Sequence, residues 1–315
     1  MTFGFDSTTD DVLDGVDLTG QTVLITGAAS GLGQETARAV AAHGGSVVLA
    51  VRDAERAGPA ADAVRAAATG SATVEVREVD LGSLASVRAF TDGVNADHDR
   101  LDVIIANAGV MACPEGRTVD GFETQFGTNH LGHFVLVNRL RPLLAGGPAR
   151  IVNLSSAGHR ASDVVLDDIN FERTPYETWR AYGRSKTANV LFAVELDRRG
   201  RDAGQRAAAV HPGAILTPLG RHVTEQTIAE LQEVRAGREQ PPWKSTEQGA
   251  ATTVWVGFRA DADEIGGRYC EDCHVSAITE EPTSPDGVHA YALDPANAAA
   301  LWARSEELVG ESFPD

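Results

Sequence analysis

Three cysteines among 315 residues are too few for the disulfide framework of a small secreted scaffold. No basic segment followed by an apolar run opens the chain, so no signal peptide is expected. No run of 18 apolar residues occurs either, which excludes a candidate membrane helix. Positive charge is also scarce, with 27 Lys and Arg against 45 Asp and Glu and a formal net charge of −18. Nucleic-acid binding rests on Lys and Arg contacts to phosphates, so no such partner is expected. The acidic surplus reads as a self-repelling surface that keeps the chain in solution. A cytoplasmic location without a membrane partner follows as the expectation. No repeat, low-complexity tract or Gly/Ser linker divides the sequence. Residues 1–17 read as an acidic extension, lying over the surface or disordered, and residues 18–315 as one domain.

Short apolar runs alternate with helical patterns: strands are expected near 22–26, 46–51, 73–79, 101–106, 149–155, 206–211 and 267–271. This alternation predicts an α/β protein of the Rossmann type, a doubly wound, seven-stranded parallel sheet with helices on both faces. The first strand runs into Thr26-Gly-Ala-Ala-Ser-Gly-Leu-Gly33, and a helix with Ala37, Val40 and Ala41 on one side follows. Gly27, Gly31 and Gly33 permit a tight turn and close backbone approach to a pyrophosphate, which the free N–H groups of a helix start can bind. The second strand ends in Ala50-Val51-Arg52-Asp53. A site for NAD places an acidic residue there to take the ribose hydroxyls. Val51 cannot do so, whereas Arg52 can pair with a 2′-phosphate. NADP(H) is therefore the expected cofactor and NAD(H) the alternative. Asp53 is a rival that could serve the ribose, but it reads better as the N-cap of the next helix.

Tyr182 and Lys186 are four residues apart, on one face of a helix. An ammonium beside a phenol favours the phenolate and lowers a pKa that is ordinarily about 10. Such a tyrosine can exchange a proton with a substrate oxygen. By chance alone the same spacing is common, and a surface tyrosine beside a solvated lysine is the bland reading.

Further stretches change those odds. Val79-Asp-Leu81, Asn107-Ala-Gly109, Asn129, Ser156 and His211-Pro-Gly-Ala-Ile-Leu-Thr217 follow the glycine turn in order. With Tyr182-x-x-x-Lys186 they resemble the short-chain dehydrogenase/reductase superfamily over about residues 18–309. Asn129-His-Leu-Gly-His-Phe134, Arg150-Ile-Val-Asn-Leu-Ser-Ser156 and Ser185-Lys-Thr-Ala-Asn-Val-Leu-Phe192 are similar to its retinol-dehydrogenase-like branch, which includes the oxidoreductase with WW domains and protochlorophyllide reductase. The resemblance implies that Tyr182 is the general acid or base and that Lys186 lowers its pKa and bonds the nicotinamide ribose. It implies that Ser156 holds the substrate oxygen, with Ser155 as the alternative, and that Asn129 sits at a helix irregularity and holds a water leading to Lys186. Ser30, Leu32 and the three glycines of the turn would cradle the pyrophosphate, and Asp80 and Leu81 would flank the adenine. Asn107, Ala108 and Gly109 would line the cofactor, with Pro212, Gly213, Ile215 and Thr217 at its nicotinamide end. A homodimer or homotetramer is expected by the same analogy, through the helices that carry Asn129 and Tyr182.

Residues 214–247 read as a lid, with Leu216, Leu219, Ile228, Leu231 and Val234 on an amphipathic helix and Pro241, Pro242 and Trp243 stiffening its return. His159, Phe171, Tyr176 and Trp179 would form a second wall, and Cys113 would be a pocket wall. Together they imply a bulky apolar carbonyl or alcohol: polycyclic, terpenoid, steroid or polyketide-like. A protein that only senses NADP(H), and a double-bond reductase of the protochlorophyllide type, are the competing functions. A sugar-nucleotide epimerase is disfavoured by the glycine spacing. Cys270-Glu-Asp-Cys273-His274 matches a haem-attachment pattern but stands alone, so ordinary thiols near a strand end are expected.

Overall fold

Every second side chain of a strand faces the same way, and here both faces are apolar. A computed structural model describes residues 2–145, 147–234, 242–281, 284 and 286–314. In β1 (Thr22–Thr26), Val23 and Ile25 join one buried cluster and Leu24 joins the other. In β4 (Val103–Ala106), Val103 and Ile105 face one way and Ile104 the other. Strands buried on both faces are the signature of a parallel sheet covered by helices. Helices Gly31–Ala42 and Thr246–Val254 cover one face. Leu84–Asp97, Gly132–Leu140 and Thr178–Gly200 cover the other.

The remaining strands are β2 (Ser46–Val51), β3 (Val74–Glu78), β5 (Ala149–Leu154), β6 (Gln205–His211), β7 (Ala214–Ile215), β8 (Trp243–Lys244), β9 (Tyr269–Glu271) and β10 (His274–Val275). The main sheet runs β10-β9-β6-β5-β4-β1-β2-β3. It has eight strands, where seven parallel ones were expected. The eighth, β10, pairs antiparallel with β9 through a turn in which Asp272 and Cys273 both take positive φ, 47° and 56°. That backbone suits a tight hairpin, but neither residue announces it as Asn-Gly would. β7 and β8 form a separate parallel pair. Because β1 pairs with both β2 and β4, the chain order reverses there. The loops leaving β1 and β4 open a crevice where this class of sheet binds its ligands.

One of the expected placements changes. Asp53 does not cap the next helix, which begins at Gly58 with Ala57 at its N-cap. Its carboxylate instead accepts from the Arg56 N–H at 2.9 Å, closing a turn before the helix. The acidic leader, read as lying over the surface or disordered, contains ordered structure. Thr9–Leu13 is a helix with a reciprocal Thr8–Asp11 cap, and Val12 and Leu13 are wholly buried. Val12 and Leu13 dock it with Phe3 and Val16 beside them, and Asp10 pairs with Arg38 at 2.7 Å.

Helix Thr178–Gly200 carries an unbroken buried run from Ala181 to Ala193. Its outer face is covered by the chain's own helix Pro295–Val309. Trp302 packs edge-on to Phe134 with ring centres 5.1 Å apart and tilted to Phe192 at 5.9 Å, and the Arg199 guanidinium lies 4.2 Å over the indole. Among the described residues, no helix is long and apolar enough to cross a membrane.

His130, His133 and His159 are all buried, and desolvation lowers their pKa values to about 3, 4 and 3. The unfolded chain binds these protons near 6.5 and the folded one refuses them, so stability falls as pH drops from 6.5 toward 4. Each such histidine removes about 1.4 kcal/mol per pH unit in that window. Urea unfolding at pH 7, 6 and 5 is expected to show this loss. His130→Phe, set among Phe126, Phe134 and Phe192, should make the pH slope shallower by about a third.

Candidate active site

The loop after β1 is shaped by what it lacks. A Cβ on Gly33 would stand 2.5 Å from both the Gly27 carbonyl and Asn107 Nδ2, and one on Gly27 would meet Ala108 Cα at 2.9 Å. Gly27 and Gly31 also take positive φ, 69° and 54°. The loop after β4 is bolted to this turn. Asn107 Nδ2 donates to the Thr26 carbonyl at 2.8 Å, and the Asn107 and Ala108 N–H groups both donate to Thr26 Oγ1 at 2.9 Å. Helix Gly31–Ala42 starts directly behind, with Ser30 at its N-cap making no side-chain capping bond. Its first N–H groups have no partner within the helix. No acidic residue occupies its first turn. A tight turn, a positive dipole end and free donors fit a pyrophosphate.

The segment after β6 reaches the same place. Thr217 lies 3.3 Å from where a Gly31 Cβ would be, and Ile215 and Leu32 both press on the Cα side of Gly249. Gly213 takes φ 95°, and Pro212 beside it is half-buried. Leu81 is buried against Gly132. Two expected residues stand at the rim. Arg52 is exposed at the end of β2, and Asp80 is exposed with Oδ1 accepting from the Gly82 N–H at 2.9 Å.

The ionisable groups converge beside this cradle. Asn129 lies in a π-helical stretch, Gly127–Leu131, which is the helix irregularity expected of it. Its side chain donates to the Val110 carbonyl and Ser185 Oγ, both at 2.9 Å, and accepts from the Val110 N–H at 2.8 Å. A Gly109 Cβ would lie 3.2 Å from Asn129 Oδ1 and 3.7 Å from Lys186 Nζ. Lys186 Nζ donates to the Leu154 carbonyl at 3.0 Å and sits 5.8 Å from the centre of the Tyr182 ring. Of the two serines, Ser155 spends its hydroxyl on the Lys186 carbonyl at 2.9 Å. Ser156 is the one whose hydroxyl acts on the Tyr182 phenol, pulling its pKa down.

Burial sets the electrostatics of the pair. It lowers the Lys186 ammonium to about 8 and raises the Tyr182 phenol to about 12, with only the Ser156 hydroxyl pulling the phenol back. The sequence reading expected Lys186 to lower the tyrosine. From the protein's own groups, desolvation dominates, because both residues lie inside a helix buried on every side.

Several polar groups here had no clear signal in the sequence. His133 Nε2 bonds Thr26 Oγ1 at 2.8 Å and its Nδ1 bonds the Asn129 carbonyl at 2.9 Å, so it joins the two halves of the site. Only its spacing four residues beyond Asn129 could have hinted at this. The supposed second wall is partly core. His159 is wholly buried, and Phe171 is buried beneath the Arg184 guanidinium at 3.9 Å. Tyr176 and Trp179 are half-buried, and Tyr176 donates to the Cys113 carbonyl at 3.0 Å. Cys113, Cys270 and Cys273 are buried free thiols, and His274 is exposed. Leu231, Val234 and Pro241 of the expected lid, together with the rest of 235–241, lie outside the residues whose side chains are described.

A glycine cradle at the reversal point of a doubly wound sheet, beside a Ser–Tyr–Lys–Asn cluster, defines a dinucleotide-binding oxidoreductase architecture. The short chain dehydrogenase family model matches residues 21–228. Human retinol dehydrogenase 13 is 38% identical over 303 residues, covering 94% of this chain and 86% of that one. An uncharacterised protein of Mycobacterium paratuberculosis has a solved structure 37% identical, with TM-score 0.74, covering 98% of this chain and all of that one. RhlG of Pseudomonas aeruginosa, solved as an NADP active-site complex, is 25% identical with TM-score 0.62, covering 81% of this chain and 95% of that one. The chain belongs to the short-chain dehydrogenase/reductase family, in its retinol-dehydrogenase-like branch. It is an oxidoreductase that uses a nicotinamide cofactor.

Gly33→Ala should weaken cofactor binding by on the order of tenfold or more, since its Cβ overpacks the turn. Titration of nicotinamide fluorescence measures this, and unchanged affinity would remove the cradle from the binding site.

Proposed function

We propose that this enzyme interconverts a ketone or aldehyde and an alcohol with NADP(H), on a bulky, largely apolar substrate. One observation carries the reading: the Tyr182 phenol is buried beside Ser156, whose hydroxyl acts to lower its pKa, with Lys186 Nζ 5.8 Å from its ring centre and Asn129 close behind. The cofactor supplies or accepts the hydride. Ser156 orients the substrate oxygen, and Tyr182 gives it a proton in reduction or removes one in oxidation. Lys186 bonds the nicotinamide ribose and, with it, favours the phenolate. Asn129 holds the water that leads protons to Lys186. In the reducing direction the proton passes from Tyr182 to the substrate oxygen. A nascent alkoxide is a stronger base than a phenolate and takes the proton readily.

Gly27, Ser30, Gly31, Leu32 and Gly33 hold the pyrophosphate in this scheme, with Asp80 and Leu81 at the adenine. Asn107, Ala108, Gly109, Pro212, Gly213, Ile215 and Thr217 line the rest. Arg52, exposed at the end of β2, takes the 2′-phosphate. Residues 18–315 act as one domain, and 214–247 close over substrate. Leu216 and Ile228 in that segment are 79% and 44% exposed, which suits an apolar ligand entering beneath them. Trp179 Nε1 donates to the Thr227 carbonyl at 2.8 Å, tying the segment to the helix of Tyr182.

The same reading makes the chain a monomer. The two-fold packing expected of the Asn129 and Tyr182 helices needs surface that helix Pro295–Val309 already occupies.

Tyr182→Phe should cut turnover of a ketone panel by about 10²- to 10⁴-fold with NADPH still bound, followed at 340 nm. Arg52→Ala should raise the KM for NADPH by about 10- to 100-fold and leave that for NADH nearly unchanged. An equal effect on both cofactors would refute the role given to Arg52. Light scattering on a sizing column should return the monomer mass of 33.2 kDa; a dimer mass would show that another face associates.

A further inference from the structure

Between the serine and the tyrosine the chain makes a short 3-10 turn, Ala157–Ala161, with Ser156 at its N-cap. The turn is shaped to the tyrosine ring. A Cβ on Gly158 would come within 2.7 Å of Tyr182 Cε1 and 2.9 Å of Cδ1. Gly158 is not in the left-handed region, so the reason for a glycine here is the ring and not the backbone. The Gly158 N–H donates to Ser156 Oγ at 3.0 Å, which aims the serine toward the phenol.

His159 anchors this turn from below. It is wholly buried. Its Nδ1 stands 2.8 Å from the Ser156 carbonyl, and its Nε2 accepts the His289 N–H at 3.2 Å. A ring nitrogen that accepts a backbone N–H carries no proton, so Nδ1 is the donor and the tautomer is set. The carbonyl of His159 is held three ways, by Thr187 Oγ1 at 3.0 Å, by the Tyr291 hydroxyl at 2.7 Å and through the turn itself. Thr187 is the neighbour of Lys186, and Tyr269 packs on the imidazole with ring centres 4.9 Å apart. The turn is thus fixed to the tyrosine helix on one side and to the C-terminal segment on the other.

We propose that Gly158 and His159 are positioning residues for the proton-transfer pair: Gly158 provides the bed on which the Tyr182 ring lies, and His159 locks the carbonyl of Ser156. They act through Ser156 and Tyr182 and touch no reacting atom. This rests on the proposed roles of those two residues. A misplacement of about 1 Å at such a pair costs on the order of 100-fold in turnover, while the cofactor cradle, built on other loops, is untouched.

Four variants test it, with kcat expressed per cofactor-binding site so that misfolded protein is not counted. Gly158→Ala and His159→Leu are each expected to lower kcat by about 10- to 100-fold with the NADPH dissociation constant unchanged. His159→Asn, whose amide can donate where Nδ1 does, should recover most of that loss. Tyr182→Phe tests the underlying chemistry separately. If Tyr182→Phe is inactive while Gly158→Ala and His159→Leu turn over normally per site, the positioning roles are wrong and the catalytic reading stands. If Tyr182→Phe retains activity, the catalytic reading fails and the positioning roles with it. Loss of cofactor affinity in parallel with kcat would mark His159 as a general structural residue and overturn its assignment. Should His159→Leu not fold, Gly158→Ala decides the outcome, since the nearest atoms its methyl group meets are those of the Tyr182 ring and Ser156 Oγ.

Discussion

Desolvation of two ionisable side chains is the constraint around which this molecule is arranged. Helix Thr178–Gly200 is enclosed along its middle by β5, by the Asn129 helix and by the C-terminal helix. Tyr182 and Lys186 therefore meet in a medium where neither charge is favoured. A buried ammonium must be fed with acceptors, and the Leu154 carbonyl at the end of β5 is one. That requirement fixes the relation between helix and strand. Ser155 and Asn189 add further bonds across the same junction, to the Lys186 and Leu154 carbonyls. The pair is expensive to bury, and the surrounding hydrogen bonds hold it in one geometry.

The π-helical stretch at Gly127–Leu131 brings Asn129 close to the pair. A regular helix offers its backbone no spare carbonyl in mid-run, whereas a π-bulge frees groups at a functional site. Here the Asn129 carbonyl is bonded by His133, and His133 reaches on to Thr26, the residue on which the β4 loop is hung. The glycine turn after β1 and the Ser–Tyr–Lys–Asn cluster are consequently parts of one hydrogen-bonded network. A neutral His133 suits this role, since burial holds it uncharged through physiological pH.

The outer surface of the two central helices is covered from within the same chain. Trp302, stacked by Arg199 and edged by Phe134, fills that place from within the same chain. Tethering the C-terminal helix costs far less entropy than recruiting a second molecule. Phe313, against Phe134 with ring centres 5.6 Å apart, extends the cover to the end of the chain.

Local chemistry alone was enough to read the glycine turn, the strand spacing and the doubly wound sheet, whereas the Tyr182–Lys186 pair gained weight only from the ordered stretches around it. Glycine positions and two-sided apolar strands are dictated by backbone sterics and by burial, which operate over a few residues and leave marks in order along the chain. Other features arose only when distant segments met. The eighth strand depends on left-handed backbone at Asp272 and Cys273, which have no turn signature. His159, read as a cavity wall, became a buried anchor because residues 289 and 291 close over it. The direction of the tyrosine and lysine pKa shifts was decided by enclosure on every side, a property of packing density that no four-residue spacing contains.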